Sequence, residues 1–120
     1  MTRENEHMPA GEVRLVFCNA PDRDCAERIA RALVEQGLAA CANLLPDCLS
    51  IYAWQGQVEH AHETPMLIKT TAVRLPEVIG LIQALHPYEV PEIIALPVTE
   101  GLPAYLQWVR GQTLPLDKSA

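Results

Sequence analysis

Chemistry in this chain would have to come from sulfur, imidazole and a few charged side chains. Four cysteines (Cys18, Cys25, Cys41, Cys48), four histidines and three methionines occur in 120 residues. Thiolate, imidazole and thioether ligands suit Cu(I) and related soft ions, so a metal site is one reading. His60-Ala61-His62 sets two imidazoles on one face of an extended segment, where they could share an ion, although exposed histidines near a hairpin tip are more often solvated. Cys18 or Cys41 could meet His86 as nucleophile and base, yet a cysteine within an apolar strand is most often a small buried hydrophobe. Lys69 ends the apolar run Met66-Leu67-Ile68 and needs solvent or a carboxylate, with Glu63 and Glu89 as candidate partners. In His86-Pro87-Tyr88-Glu89-Val90-Pro91-Glu92, two prolines stiffen the connector and hold His86, Tyr88 and Glu89 in set directions. That stretch reads either as a rigid loop aiming the strand after it or as a preorganised polar pocket.

The elements that must position these groups follow from periodicity. Val13 to Asn19 is an apolar first strand, broken by Ala20-Pro21-Asp22. Asp24 and Glu27 fit a capping box, Ala26, Ile29, Ala30, Leu33 and Val34 form one helical face, and Gly37 closes that helix. Ala39 to Thr71 reads as a long hairpin turning at Gln55-Gly56, where glycine supplies positive φ. Leu49, Ile51 and Ala53 point to one face of its first arm, and Ser50, Tyr52 and Trp54 to the other. The arms exceed the usual strand of about five or six residues, leaving backbone groups and apolar surface for a second copy to cover. A second helix opens at Arg74-Leu75-Pro76, with Leu75, Val78, Ile79, Ile82 and Leu85 inward and Pro87 as its stop. Glu92 to Val98 is a fourth strand, and a short helix runs from Gly101-Leu102-Pro103 through Trp108 and Arg110. Strand, helix, strand, strand, helix, strand is the ferredoxin-like βαββαβ sandwich of the α+β class, with both main helices on one face and the other face open. Residues 13–112 form the domain, between polar tails at 1–12 and 113–120.

Bulk properties exclude several roles. The net charge is −6 with no basic run, which argues against nucleic-acid and anionic-membrane surfaces. The N-terminal segment lacks the apolar core of a signal peptide, and no apolar run approaches the ~18 residues of a membrane span. The expected location is the cytoplasm, with the cysteines as free thiols. Six residues separate Cys18 from Cys25 and Cys41 from Cys48, wider than the roughly two to four typical of zinc-binding pairs. No phosphate loop, Gly-x-Ser-x-Gly, His-Glu-x-x-His or Cys-x-x-Cys is present, so no enzymatic activity is expected.

One resemblance ties the pieces together. Leu38-Ala39-Ala40-Cys41-Ala42-Asn43, Ser50-Ile51-Tyr52-Ala53-Trp54-Gln55-Gly56, Glu63, Ile68-Lys69-Thr70, His86 to Glu92 and Tyr105-Leu106-Gln107-Trp108 together resemble the CutA family of divalent-cation tolerance proteins, over about residues 13–110. The resemblance implies a ferredoxin-like protomer in a tight homotrimer, similar to the PII signalling proteins, with hairpins crossing to neighbouring subunits. It also implies a link to copper or another divalent cation. The family's copper-ligand positions fall on Cys18, Cys41 and His86, and its intersubunit cleft on Tyr52, Trp54, Glu63, Lys69, Tyr88, Glu89 and Trp108. Asn19 replaces the family's usual threonine. His60 and His62 stand where acidic residues are common, so a metal role for them would be particular to this chain. Pro65 interrupts the third strand and should mark a bulge or an unpaired edge.

The function expected is divalent-cation tolerance by a homotrimer that binds metal or mediates a metal-linked response. The alternative is a PII-like signalling trimer or scaffold that takes a small anionic metabolite in its cleft and passes its state to a protein partner. A metal site requires Cys41 and His86 to converge, whereas an anion pocket requires Lys69 to face an open cavity with aromatic walls.

Overall fold

The computed structural model describes residues 11–114; the tail segments expected at 1–12 and 113–120 lie mostly outside them. Thr113, assigned to a tail by the sequence, is buried and closes the last helix through Oγ1 donating to Val109 O at 2.8 Å.

The chain folds as β1 (Val13–Ala20), α1 (Arg23–Glu35), β2 (Cys41–Leu44), β3 (Cys48–Trp54), β4 (Gln57–Thr71), α2 (Leu75–Leu85), β5 (Ile93–Pro97) and α3 (Pro103–Gln112). All pairings are antiparallel, in the order β2-β4-β1-β5, with β3 on the far half of β4. Alternation sends Val16, Cys18, Ala20, Met66 and Ile68 towards α1 and α2, where they meet Ile29, Leu33, Val78 and Ile82 in the core.

The first hairpin arm is two strands, not one. Leu44 pairs with Met66 and Cys48 with Glu63, so three residues of the arm face two of β4. This is a β-bulge, opposite the proline that the sequence marked. Pro65 O accepts from Leu45 N at 2.9 Å, so the edge of Pro65 that lacks an N–H faces the bulge, while β1 pairs without interruption on the other side. Thr64 Oγ1 donates to Asp47 Oδ1 at 2.8 Å and ties the bulge down. At the tip, both Gln55 (φ 51°) and Gly56 (φ 79°) are left-handed, the combination a two-residue hairpin turn needs.

Three local expectations change. The α1 cap is Asp22, whose Oδ1 accepts from Cys25 N at 2.8 Å, while Glu27 pairs with Arg31 instead of closing a box with Asp24. Asp22→Ala should lower stability by about 1 kcal/mol in urea unfolding, and Asp24→Ala by much less. Val34 is 44% exposed, because Cys25 rather than Val34 completes the buried stripe. Leu81, not Ile79, joins Leu75, Val78, Ile82 and Leu85 against the core. Gly37 ends α1 as expected, at φ 71° with Leu38 N donating to Leu33 O at 2.9 Å.

Among the described residues, the sheet face opposite α1 and α2 is covered only at one end. There Val109 of α3 packs on Val13 and Ala40, with Val98 and Leu106 beside them. Farther along, Ile94 and Leu96 of β5 stay about half exposed.

Candidate functional site

Beyond Thr64, the partner of Ala20, β4 loses β1 as its neighbour. The connector from α2 to β5 comes in at this place and bounds a cavity of about 640 Å³ with β3. Tyr52, Trp54 and Tyr88 supply aromatic walls, Glu63, Glu89 and Glu92 supply carboxylates, and among the described residues neither lysine nor arginine lines it. Glu63 is buried at the cavity beside Tyr88. Burial, then the nearby Glu63 carboxylate, raise the Tyr88 pKa.

His86 holds the connector in place. Tyr88 N–H donates to His86 Nδ1 at 3.2 Å, which requires the ring proton on Nε2, and Nε2 donates to Asn19 O at 2.7 Å. The two rings pack with centroids 4.7 Å apart. Asn19 Nδ2 then donates to Glu92 Oε1 at 2.8 Å, fixing one of the cavity carboxylates. The sequence does not single out Glu92 or Asn19 as site residues: Glu92 lies in the proline-bounded stretch, and the register with β1 is what connects the two.

Lys69 and Trp108 stand elsewhere. Lys69 is six residues along β4 from Glu63 on the same face, about 20 Å away at strand spacing. Its Nζ donates to Asn43 Oδ1 and lies 3.9 Å from Cys41 Sγ, so its partner is an amide and not Glu63 or Glu89. Tyr105 packs on Trp108 with centroids 5.5 Å apart, and burial followed by the adjacent Cys41 raises the Tyr105 pKa.

Cys18, Cys41 and His86 do not form one ligand set within the chain. Cys18 pairs in register with Met66 and faces the helices, whereas Cys41 pairs with Lys69 and faces the opposite side. Cys18 does approach His86: both reach Asn19 O, at 3.9 and 2.7 Å. Both ring nitrogens of His86 are engaged, leaving no lone pair for an ion or for taking the Cys18 proton. Burial pushes the Cys18 thiol up to about 12, helped by Glu92, Cys25 and Glu63, so it is a protonated core thiol. These residues do not fit a copper centre in this arrangement. Among the described residues no group of three or more His, Cys, Asp or Glu side chains is disposed to hold a metal.

An antiparallel sheet of this order, two helices on one face and a hairpin that outruns the sheet define a ferredoxin-like α+β protein. The model of the family described as CutA1 divalent ion tolerance protein matches residues 14–112. Protein CutA of Mus musculus is 45% identical over 109 residues, 91% of this chain and 62% of that protein. The divalent-cation tolerance protein CutA of Thermus thermophilus is 48% identical over 99 residues, 82% of this chain and 96% of that protein. The crystal structure of CutA from Xylella fastidiosa superposes with a TM-score of 0.83 at 46% identity, covering 85% of this chain and 98% of that one. The chain thus spans less than two thirds of the mouse protein and nearly all of the bacterial ones. It belongs to the CutA1 divalent ion tolerance protein family.

Proposed function

We propose that this chain serves divalent-cation tolerance as a homotrimer, with the cavity between β3 and the 86–92 connector as its cation-attracting surface. The observation that carries this reading is the charge of the cavity: three carboxylates, Glu63, Glu89 and Glu92, with no lining cation among the described residues. Three carboxylates around one cavity, the buried Glu63 among them, favour a cation and repel an anionic metabolite, the more so because Lys69 is held far from them. Assembly is supported by the hairpin, which outruns the sheet and carries the exposed Tyr52 and Trp54 on the side continuous with the open sheet face of the half-exposed Ile94 and Leu96. The cytoplasm is the proposed compartment, since all four cysteines are free thiols.

Equilibrium dialysis against Mn²⁺ and Cu²⁺, with and without Glu63→Gln, Glu89→Gln and Glu92→Gln together, tests the cation reading. The triple variant should bind at least about tenfold more weakly, more visibly at low salt. Unchanged affinity in that variant would remove the cavity from the function. Sedimentation should give about three times 13.3 kDa.

A further inference from the structure

His60 and His62 lie on the other face of the same hairpin and take no part in the cavity. From Gln57 to Glu63, β4 runs in unbroken register with β3, His60 opposite Ile51 and His62 opposite Leu49. Alternation therefore sets both rings on one face, with backbones about 7 Å apart, and both residues are exposed. Val58 on the same strand and Leu49, Ile51 and Ala53 across from it supply only aliphatic neighbours on that face, so the imidazole nitrogens are the coordinating atoms there. The imidazole hydrogen bonds among the described residues belong to His86. Glu59, Ala61 and Glu63 project the opposite way.

We infer that His60 and His62 form a two-imidazole chelate for a borderline divalent cation, with water completing its coordination. Imidazole suits Cu²⁺, Ni²⁺ and Zn²⁺, and the affinity order places Cu²⁺ first. Metal–nitrogen bonds of about 2.0–2.1 Å let two rings at this spacing turn towards one ion. The paired strands and the Gln55-Gly56 turn hold the backbone fixed, so little ordering accompanies binding. Once one ring has bound, the second binds intramolecularly, and the pair gains about 10²-fold over a single histidine. Neither His60 nor His62 lines the carboxylate cavity, which reaches this strand pair at Ile51, and the two sites differ in ligand class.

The test is a calorimetric titration of the full chain with Ni²⁺ and then Cu²⁺, in a His7→Gln background that leaves His60, His62 and His86 as the imidazoles. His60→Gln and His62→Gln should each weaken binding by about 10²-fold, and the double variant should lose little more. A decisive variant combines Val58→His with His60→Val. It keeps the number of histidines and the face, but the rings then stand four residues apart, about 13 Å, too far for one ion. Position 58 is 81% exposed and accepts the exchange without disturbing the core. This variant should bind as weakly as the single ones. Binding as tight as the parent's, or single-variant losses of about twofold, would overturn the chelate. So would loss of tight Ni²⁺ binding in the Glu63, Glu89 and Glu92 triple variant with no effect of His60→Gln, because the ion would then belong to the cavity.

Discussion

His86→Ala is expected to lower the stability of the metal-free protein by about 2–4 kcal/mol, even in the presence of a chelator. The substitution removes the donor to Asn19 O and the acceptor for Tyr88 N–H, leaving both backbone groups short of a partner, and it deletes the ring packed on Tyr88. His86→Gln keeps a donor and an acceptor on a longer stem and should recover part of the loss. Cation binding should weaken in His86→Ala as a consequence of a displaced connector, since Tyr88, Glu89 and Glu92 all hang from it. A metal-ligand role makes the opposite forecast: an unaltered metal-free protein that loses stability relative to the parent only when metal is added. Urea unfolding of both variants, with chelator and with excess divalent cation, separates the two.

The second large effect lies at alkaline pH. Below pH 9.0 Cys18 is protonated in both the folded and the unfolded chain and stability does not depend on it. Between 9.0 and about 12 the unfolded chain releases the proton while the folded chain keeps it, so stability falls by about 1.4 kcal/mol per pH unit, up to about 4 kcal/mol. Burial is the main cause, with Glu92, Cys25 and Glu63 opposing a nearby thiolate. Cys25, Tyr88 and Tyr105 are raised as well and add to the same alkaline limb. Unfolding free energies of the parent and Cys18→Ala, compared at intervals from about pH 8 to 11, should show a shallower decline in the variant. Its packing loss is independent of pH and drops out of the slope. Parallel slopes would mean that Cys18 ionises in place. At neutral pH the same burial should leave Cys18 unreactive to alkylating reagents while the partly exposed Cys41 and Cys48 are modified.

These predictions follow from which side chains share a face and an end of the sheet, and that was only partly legible beforehand. Local patterns carried a good deal. Apolar spacing marked α1 and α2, Gly37 and Gly56 marked a helix end and a hairpin turn, Pro65 marked the bulge, and period-two alternation put Tyr52 and Trp54 opposite Leu49 and Ile51. Each depends on a few consecutive residues and their φ/ψ preferences, so each can be read without knowing what lies across the strand. The resemblance to the CutA family rests on the same short segments, taken in order.

Contact between distant segments was decided by the tertiary structure. The family resemblance implies one ligand set of Cys18, Cys41 and His86, but register with Met66 and Lys69 sends the two cysteines to opposite faces. Lys69 met Asn43 and Cys41 rather than a carboxylate, because strand geometry places Glu63 about 20 Å along the same face. Three glutamates gathered round one cavity only because β1 stops opposite Thr64 and a connector tied down by His86 enters that space. The sequence by itself determined the elements, their turns and which residues alternate together. Strand register and the points where strands end, set by packing across the whole chain, decided which of those residues meet.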